Sequence, residues 1–158
     1  MDIREAEPRD MDELVELWIE FMDYHCALDS GFVRASDAAA RWADYISTKF
    51  RDPEFCVLVA DAGKSLAGYV VATVVAYPPI ITIDKYGFVQ DMAVSESYRR
   101  RGTGQLLFEA AKRWLLLQGV PQIEVKVDVL NHVSRAFWGA AGFSPHTETL
   151  IKKYSGVG

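Results

Sequence analysis

Between Phe88 and Gln118 an apolar run, a short basic glycine loop and an amphipathic run follow one another, and this order leaves few folds open. Phe88-Val89-Gln90-Asp91-Met92-Ala93-Val94 reads as a strand and Gln105 to Gln118 as a helix. Gly119-Val120-Pro121 stops that helix as a C-cap glycine followed by proline does. Ile123 to Val129 then reads as a second strand, with Val125, Val127 and Val129 on one face. Two strands joined by one helix predict a parallel pair with a right-handed crossover. The loop Arg99-Arg100-Arg101-Gly102-Thr103-Gly104 then falls at the carboxyl end of the first strand, where open α/β sheets place their ligands.

The composition of that loop predicts an anion site. Glycines let the backbone approach a ligand, a helix start presents unpaired N–H groups, and arginines add charge-matched donors. The expected ligand is a diphosphate carried by a small molecule. No Lys follows Gly104, so this is not a nucleotidase phosphate loop, and Leu107 stands where a dinucleotide fingerprint needs its third glycine. A solvated basic turn capping a helix is the plainer alternative for the segment. A nucleic-acid surface is disfavoured, because the net charge is −5 and no second basic cluster reinforces the arginines.

At 158 residues the chain is expected to form one domain, 1–158, large enough for a real core. No apolar run approaches the roughly 20 residues needed to span a bilayer. Met1-Asp2-Ile3-Arg4-Glu5 lacks the pattern of a signal peptide, so no membrane partner and a cytoplasmic location are expected. Cys26 and Cys56 have no metal-ligand spacing and read as buried free thiols. His25, His132 and His146 are scattered, and no metal site is expected.

The remaining elements alternate. Ile3 to Ala6 reads as a first strand, and Asp10 with Glu13 as a capping box opening a helix with Leu14, Leu17, Trp18, Phe21 and Met22 on one face. A second helix after Ser36 carries Ala39, Trp42, Tyr45 and Ile46. Phe55–Ala60 and Leu66–Tyr77 read as a hairpin around Asp61-Ala62-Gly63-Lys64. A short helix over Val133 to Ala141 and a last strand over Thr147 to Tyr154 complete the order. The expected architecture is α/β, a mixed sheet with helices packed against it. Surplus aromatic surface and an open edge at the last strand predict a homodimer with two-fold symmetry.

With these pieces in order, the chain resembles the GNAT superfamily of N-acetyltransferases. Arg99-x-x-Gly102-x-Gly104 matches the family's pyrophosphate loop. Val89 to Val94 looks like its central strand, in which an acidic residue precedes apolar ones. Asn131-x-x-Ser134-x-x-Phe137-Trp138-x-x-x-Gly142-Phe143 looks like its C-terminal motif. The resemblance covers residues 3 to 154 and implies a mostly antiparallel sheet with a splayed central parallel strand pair flanked by helices. It implies acetyl-coenzyme A as cosubstrate, with the pyrophosphate on the backbone of Arg100, Arg101, Gly102, Thr103, Gly104 and Gln105. Main-chain groups of Met92, Ala93 and Val94 would pair with the pantetheine arm as a surrogate strand. Asn131 and Ser134 would contact the cofactor from the other side, although Asn131 also suits a helix cap.

The activity implied is acetyl transfer to an amine of a small molecule or protein, by direct attack in a ternary complex. Asp91 is the nearest carboxylate for removing the amine proton. Gln90 stands where polyamine-type members carry Glu, and Glu124 and Asp128 are weaker candidates. Period-2 alternation places Gln90 and Asp91 on opposite faces. Trp138 stands where many members carry the Tyr that protonates the coenzyme A sulfur; an indole N–H can hydrogen-bond there but supplies no acid. Trp18, Tyr24, His25, Trp42, Tyr45, Tyr77 and Tyr86 are candidates for an acceptor wall, and the acidic balance favours a cationic acceptor. The alternative from another class is a catalytically silent coenzyme A-binding sensor or interaction module.

Overall fold

Five strands hydrogen-bond in chain order: β1 (Asp2–Glu5), β2 (Phe55–Asp61), β3 (Leu66–Ala76), β4 (Lys85–Val94) and β5 (Ile123–Val125). The first four are antiparallel neighbours, and β5 joins β4 in parallel through the crossover helix α3 (Thr103–Leu117). Helices α1 (Met11–Leu28) and α2 (Ala38–Ser47) lie between β1 and β2 in the chain, and α4 (His132–Ala140) follows β5. The structure is a computed structural model and describes residues 1–156. By its contacts the chain divides into two compact units, Met1–Lys126 and a second that begins at Val127. Among the described residues no helix is long and apolar enough to cross a membrane.

In the first unit, helices cover the sheet on both faces. Leu14, Leu17 and Trp18 of α1 and Trp42 and Ile46 of α2 pack with Val57, Val59, Tyr69, Val71 and Ala93 in one buried cluster. Residues one step out of phase, such as Gly68 and Gly87, face α3. A Cβ on Gly87 would meet the Leu115 side chain, and a Cβ on Gly68 would meet Leu107. Gly68 lies opposite Val94 and is more tightly confined, since an added Cβ would sit 2.4 Å from the Ala93 carbonyl oxygen. Gly68→Ala is therefore expected to cost about 1–3 kcal/mol, because β3 and β4 must part to admit one methyl group. Urea unfolding with a lower midpoint and an unchanged slope would show it; an unchanged midpoint would mean that β4 yields freely.

The opening of α1 differs from the expected capping box. Asp10 occupies the N-cap but makes no cap bond there. Its carboxylate instead accepts from both terminal nitrogens of Arg4, at 2.7 and 2.9 Å, and from the Glu7 N–H. The Arg4 guanidinium holds the buried Asp10 carboxyl below its usual range. This pairing adds stability at neutral pH that is lost as pH falls through the lowered value. Glu13, released from capping, accepts the Leu66 N–H at 2.7 Å and ties α1 to the start of β3.

Two expected strands are corrected. The run 123–129 is a strand only over Ile123–Val125. Beyond it Asp128 turns the chain, accepting the Leu130 N–H on its side chain and the Asn131 N–H on its carbonyl. Such side-chain bonding competes with a ladder. The run 147–154 forms no strand; these residues are exposed and make no backbone hydrogen bond among the described residues. Thr147, Thr149, Leu150 and Ile151 favour a strand by type but form one only where a neighbour pairs with them. The open edge, one of the two grounds for expecting a homodimer, is therefore not formed.

Candidate active site

Loop, bulge and helix face combine in the first unit to place the chemistry. The parallel ladder joins Gly87, Phe88 and Val89 to Ile123, Glu124 and Val125 and then stops, while β4 continues to Val94. From Gln90 onward, the side of β4 turned away from β3 has no strand partner among the described residues. Met92, Ala93 and Val94 lie on this stretch, where main-chain groups can pair with an extended ligand.

Past β4 the chain makes a one-turn helix, Glu96–Tyr98, and enters the loop. Arg100 has φ +58° and Gly102 has φ +82°. Two left-handed residues so close together turn successive N–H groups into a concavity that suits an anion. Gly102 is also the N-cap of α3 and lends it no side-chain cap, so the first amides of the helix lack that partner. Arg100 and Arg101 are exposed, and Arg101 lies over the Tyr98 ring. Thr103 is buried and donates to the Tyr98 carbonyl at 3.3 Å. Gly104 is half-buried in the first turn of α3, and Gln105 donates to Glu109 along the same helix.

Arg99 differs from its neighbours. Its Nε donates to the Val94 carbonyl at 3.0 Å, and a terminal nitrogen pairs with Glu20 of α1 at 2.9 Å. The guanidinium thus braces the loop against β4 and α1 rather than joining the concavity. Backbone N–H groups, with the exposed Arg100 and Arg101, are what the loop could offer an anion.

Asp91 sits beside a β-bulge. Val71 pairs with Asp91 and Ala72 with Val89, so Gln90 is the extra residue. A bulge breaks the strand's alternation. In consequence Gln90 and Asp91 do not point to opposite faces, as period 2 predicts. Trp42 Nε1 donates to Asp91 Oδ2 at 3.3 Å, and the Tyr45 hydroxyl donates to Gln90 Oε1 at 2.9 Å. Trp42 and Tyr45 are three apart on α2, hence on one face. Both β4 side chains therefore reach the same helix face. Trp42 is itself held by stacking on Trp18, with ring centroids 5.4 Å apart.

Burial pushes the Asp91 carboxyl above its usual range; the Trp42 hydrogen bond and nearby His25 pull it partly back. His25 Nδ1 lies 2.9 Å from the Phe21 carbonyl oxygen, which only accepts, so that nitrogen carries a proton. Next to Asp91 lies Tyr69, wholly buried in β3, whose hydroxyl has no hydrogen-bond partner. Burial and the Asp91 charge both raise its proton affinity. Sequence reading overlooked Tyr69. Its one signal is a lone phenol among small and β-branched residues between Leu66 and Ala76.

Other candidates for the base are committed elsewhere. Glu124 accepts from the Tyr77 hydroxyl and from Gln122. Asp128, in the second unit, holds its own turn. The Cys56 thiol, buried in β2, is pushed up to about 12, which leaves it protonated and poorly nucleophilic. Among the described residues no group of three or more His, Cys, Asp or Glu side chains is placed to hold a metal ion.

The second unit supplies the remaining sequence candidates. Asn131 is buried and caps α4, its Oδ1 accepting the Ser134 N–H at 2.9 Å. Trp138 is buried in α4, edge-on to Phe137 and to Phe143.

Comparison with known proteins identifies the family and the fold. The acetyltransferase (GNAT) family model matches residues 11–143. No curated protein matches the sequence. Among solved structures, a mutant of the BH1408 protein from Bacillus halodurans is 25% identical, with 98% of this chain and 99% of that one covered and a TM-score of 0.86. The apo aminoglycoside 6'-N-acetyltransferase AAC(6')-IG from Acinetobacter haemolyticus is 17% identical, covering 98% and 99%, with a TM-score of 0.77. AAC(6')-Iy, solved with the bisubstrate analogue CoA-S-monomethyl-acetylneamine, is 19% identical over 97% of each chain, with a TM-score of 0.72. These two aminoglycoside enzymes share the fold with this protein. A family match over most of the chain, on a sheet that frees the end of β4 beside a glycine-turned anion loop, means that the chain belongs to the acetyltransferase (GNAT) family, N-acetyltransferases that use acetyl-coenzyme A.

Proposed function

We propose that this protein transfers an acetyl group from acetyl-coenzyme A to a primary amine by direct attack, with Asp91 accepting the amine proton. The observation that carries this reading is the placement of Asp91: half-buried at the bulge, hydrogen-bonded by Trp42, on the strand whose next residues lack a partner on one side. Acetyl-coenzyme A supplies an acetyl group already activated as a thioester. The chain's own residues do the rest. Arg100 to Gln105 would hold the diphosphate through their amides, and Met92 to Val94 would fix the pantetheine arm by main-chain pairing. Asn131, Ser134 and Trp138 are proposed as cofactor residues on their match to the family's C-terminal motif alone.

An amine reacts only when neutral, and most acceptor amines are ammonium ions at pH 7. A carboxyl raised above its usual range is a stronger base for that proton than an exposed one. The protonated, buried Cys56 thiol speaks against an acyl-enzyme on that residue. A cationic small-molecule acceptor fits the chain's net charge of −5 and the acetylneamine part of the analogue bound by AAC(6')-Iy.

Incubation with acetyl-coenzyme A and a panel of amines, with free thiol as readout, tests the reading. Thiol release that depends on the amine is expected. The second reading, a silent coenzyme A-binding module, is favoured by Trp138, whose indole cannot protonate a leaving thiolate. Tight coenzyme A binding without thiol release across the panel would decide for it.

A further inference from the structure

Away from Asp91 on the same sheet face, a second carboxylate is held in place with no cation beside it. Gly87 faces α3, so its strand neighbours Tyr86 and Phe88 face the other side, toward which Asp91 meets α2. Glu124 stands directly opposite Phe88 in the parallel ladder and so shares that face. Its Oε1 accepts from the Tyr77 hydroxyl and from Gln122 Nε2 at 3.1 Å, and Gln122 also donates to the Tyr77 oxygen at 3.0 Å. Tyr77 and Tyr86 lie ring to ring, with centroids 4.5 Å apart. Glu124 has no Lys, Arg or His ion-pair partner among the described residues, and nearby Lys85 donates to the Gln118 carbonyl instead.

From this we infer that Glu124, with the Tyr77–Tyr86 pair, is a subsite for a second ammonium group of the acceptor, so that the preferred substrate is a dication. The inference rests on the transfer reading above. Asp91 lies three positions beyond Phe88 on β4, and Glu124 is one strand over, which puts the two carboxylates on the order of 10 Å apart. One carboxylate takes the proton of the reacting amine; the other anchors a charge several bonds away. Donation by Tyr77 and Gln122 fixes Glu124 in advance, so little side-chain freedom is lost on binding. Packing of the Tyr86 ring on the Tyr77 ring steadies the hydroxyl that holds Glu124. The buried, unpartnered Tyr69 hydroxyl marks the Asp91 end of the same face as polar below its surface.

Hexylamine and hexamethylenediamine have the same carbon chain and differ by one terminal ammonium, so the ratio of their kcat/KM values in the thiol-release assay tests the subsite. The diamine is expected to be preferred at least about tenfold beyond its statistical factor, mainly through KM, with the preference shrinking in high salt. In Glu124→Gln the ratio should fall to near one, and Glu124→Asp should recover part of it. Tyr86→Leu gives a second reading of the same ratio should Glu124→Gln fail to fold. Transfer to both amines with a ratio near one in the unmutated protein, or a ratio unmoved by Glu124→Gln, overturns the subsite and leaves the transfer reading standing. Absence of thiol release with either amine, while another amine of the panel reacts, overturns the dication subsite alone; silence across the whole panel overturns the transfer reading and the subsite with it.

Discussion

Asp91→Asn is expected to lower turnover by about 10²-fold or more while leaving coenzyme A affinity nearly unchanged. Asparagine keeps the size of the side chain and an oxygen to accept the Trp42 indole N–H, so the bulge and the α2 contact persist. What disappears is the basic site. In the unmutated protein the acid limb of kcat/KM should lie above the ordinary carboxylate range, because burial raises the Asp91 carboxyl. That limb should vanish in the variant. Stability should move the other way. A carboxyl whose folded pKa is raised favours the folded state while it is protonated. That advantage is lost as pH rises from the unfolded value through the folded one. Above that range the ionised Asp91 is therefore a cost that asparagine removes, and there the variant should resist urea at least as well as the parent. Lower stability with turnover retained would make Asp91 a structural residue.

Gly102→Val should nearly abolish coenzyme A binding in a protein that still folds. Gly102 has φ +82° and ψ 0°, and its carbonyl accepts the Leu106 N–H at 3.0 Å, opening α3. An added Cβ would have nothing within 4 Å, so no core contact is broken. The backbone angle is the obstacle, since a β-branched residue in the left-handed region is strained by about 1–2 kcal/mol. Relief of that strain rotates the peptide units flanking residue 102, and the amides proposed to hold the diphosphate turn away. Losing two hydrogen bonds to a charged group, at about 1.5–3 kcal/mol each, weakens binding by about 10²-fold or more. Titration calorimetry with coenzyme A, alongside a melting curve, reads both halves of this expectation. Unchanged affinity in a folded variant would remove the loop from the cofactor site.

Much of the fold and the local geometry of the candidate loop were legible in the chain because they are local. Glycine at 102, arginines before it and an apolar helix after it lie within a few residues, and each acts through its own backbone or its nearest turn. The strand runs 55–60, 66–77 and 88–94 announce themselves by composition and by bounding Gly, Pro and Asp, and the structure keeps them within a few residues of those limits. Asn131 likewise caps α4 through a bond that spans three residues.

Tertiary structure decided the rest, and every case is a contact that no window of sequence contains. Trp42 meets Asp91 across 49 residues, and Tyr45 meets Gln90 across 45. Both depend on a bulge that exists only because β3 pairs Val71 with Asp91 and Ala72 with Val89. Arg4 took Asp10 from its expected capping role because the fold brought a guanidinium to it, and Glu13 was then free for Leu66. The run 147–154 has the composition of a strand but no ladder, since its pattern describes a side-chain surface and pairing requires a neighbour. Residue type and short spacing thus determined where an anion could bind. Long-range pairing, which sets register and burial, determined that Asp91 and Gln90 meet the same face of α2 and that Asp91 is half-buried there.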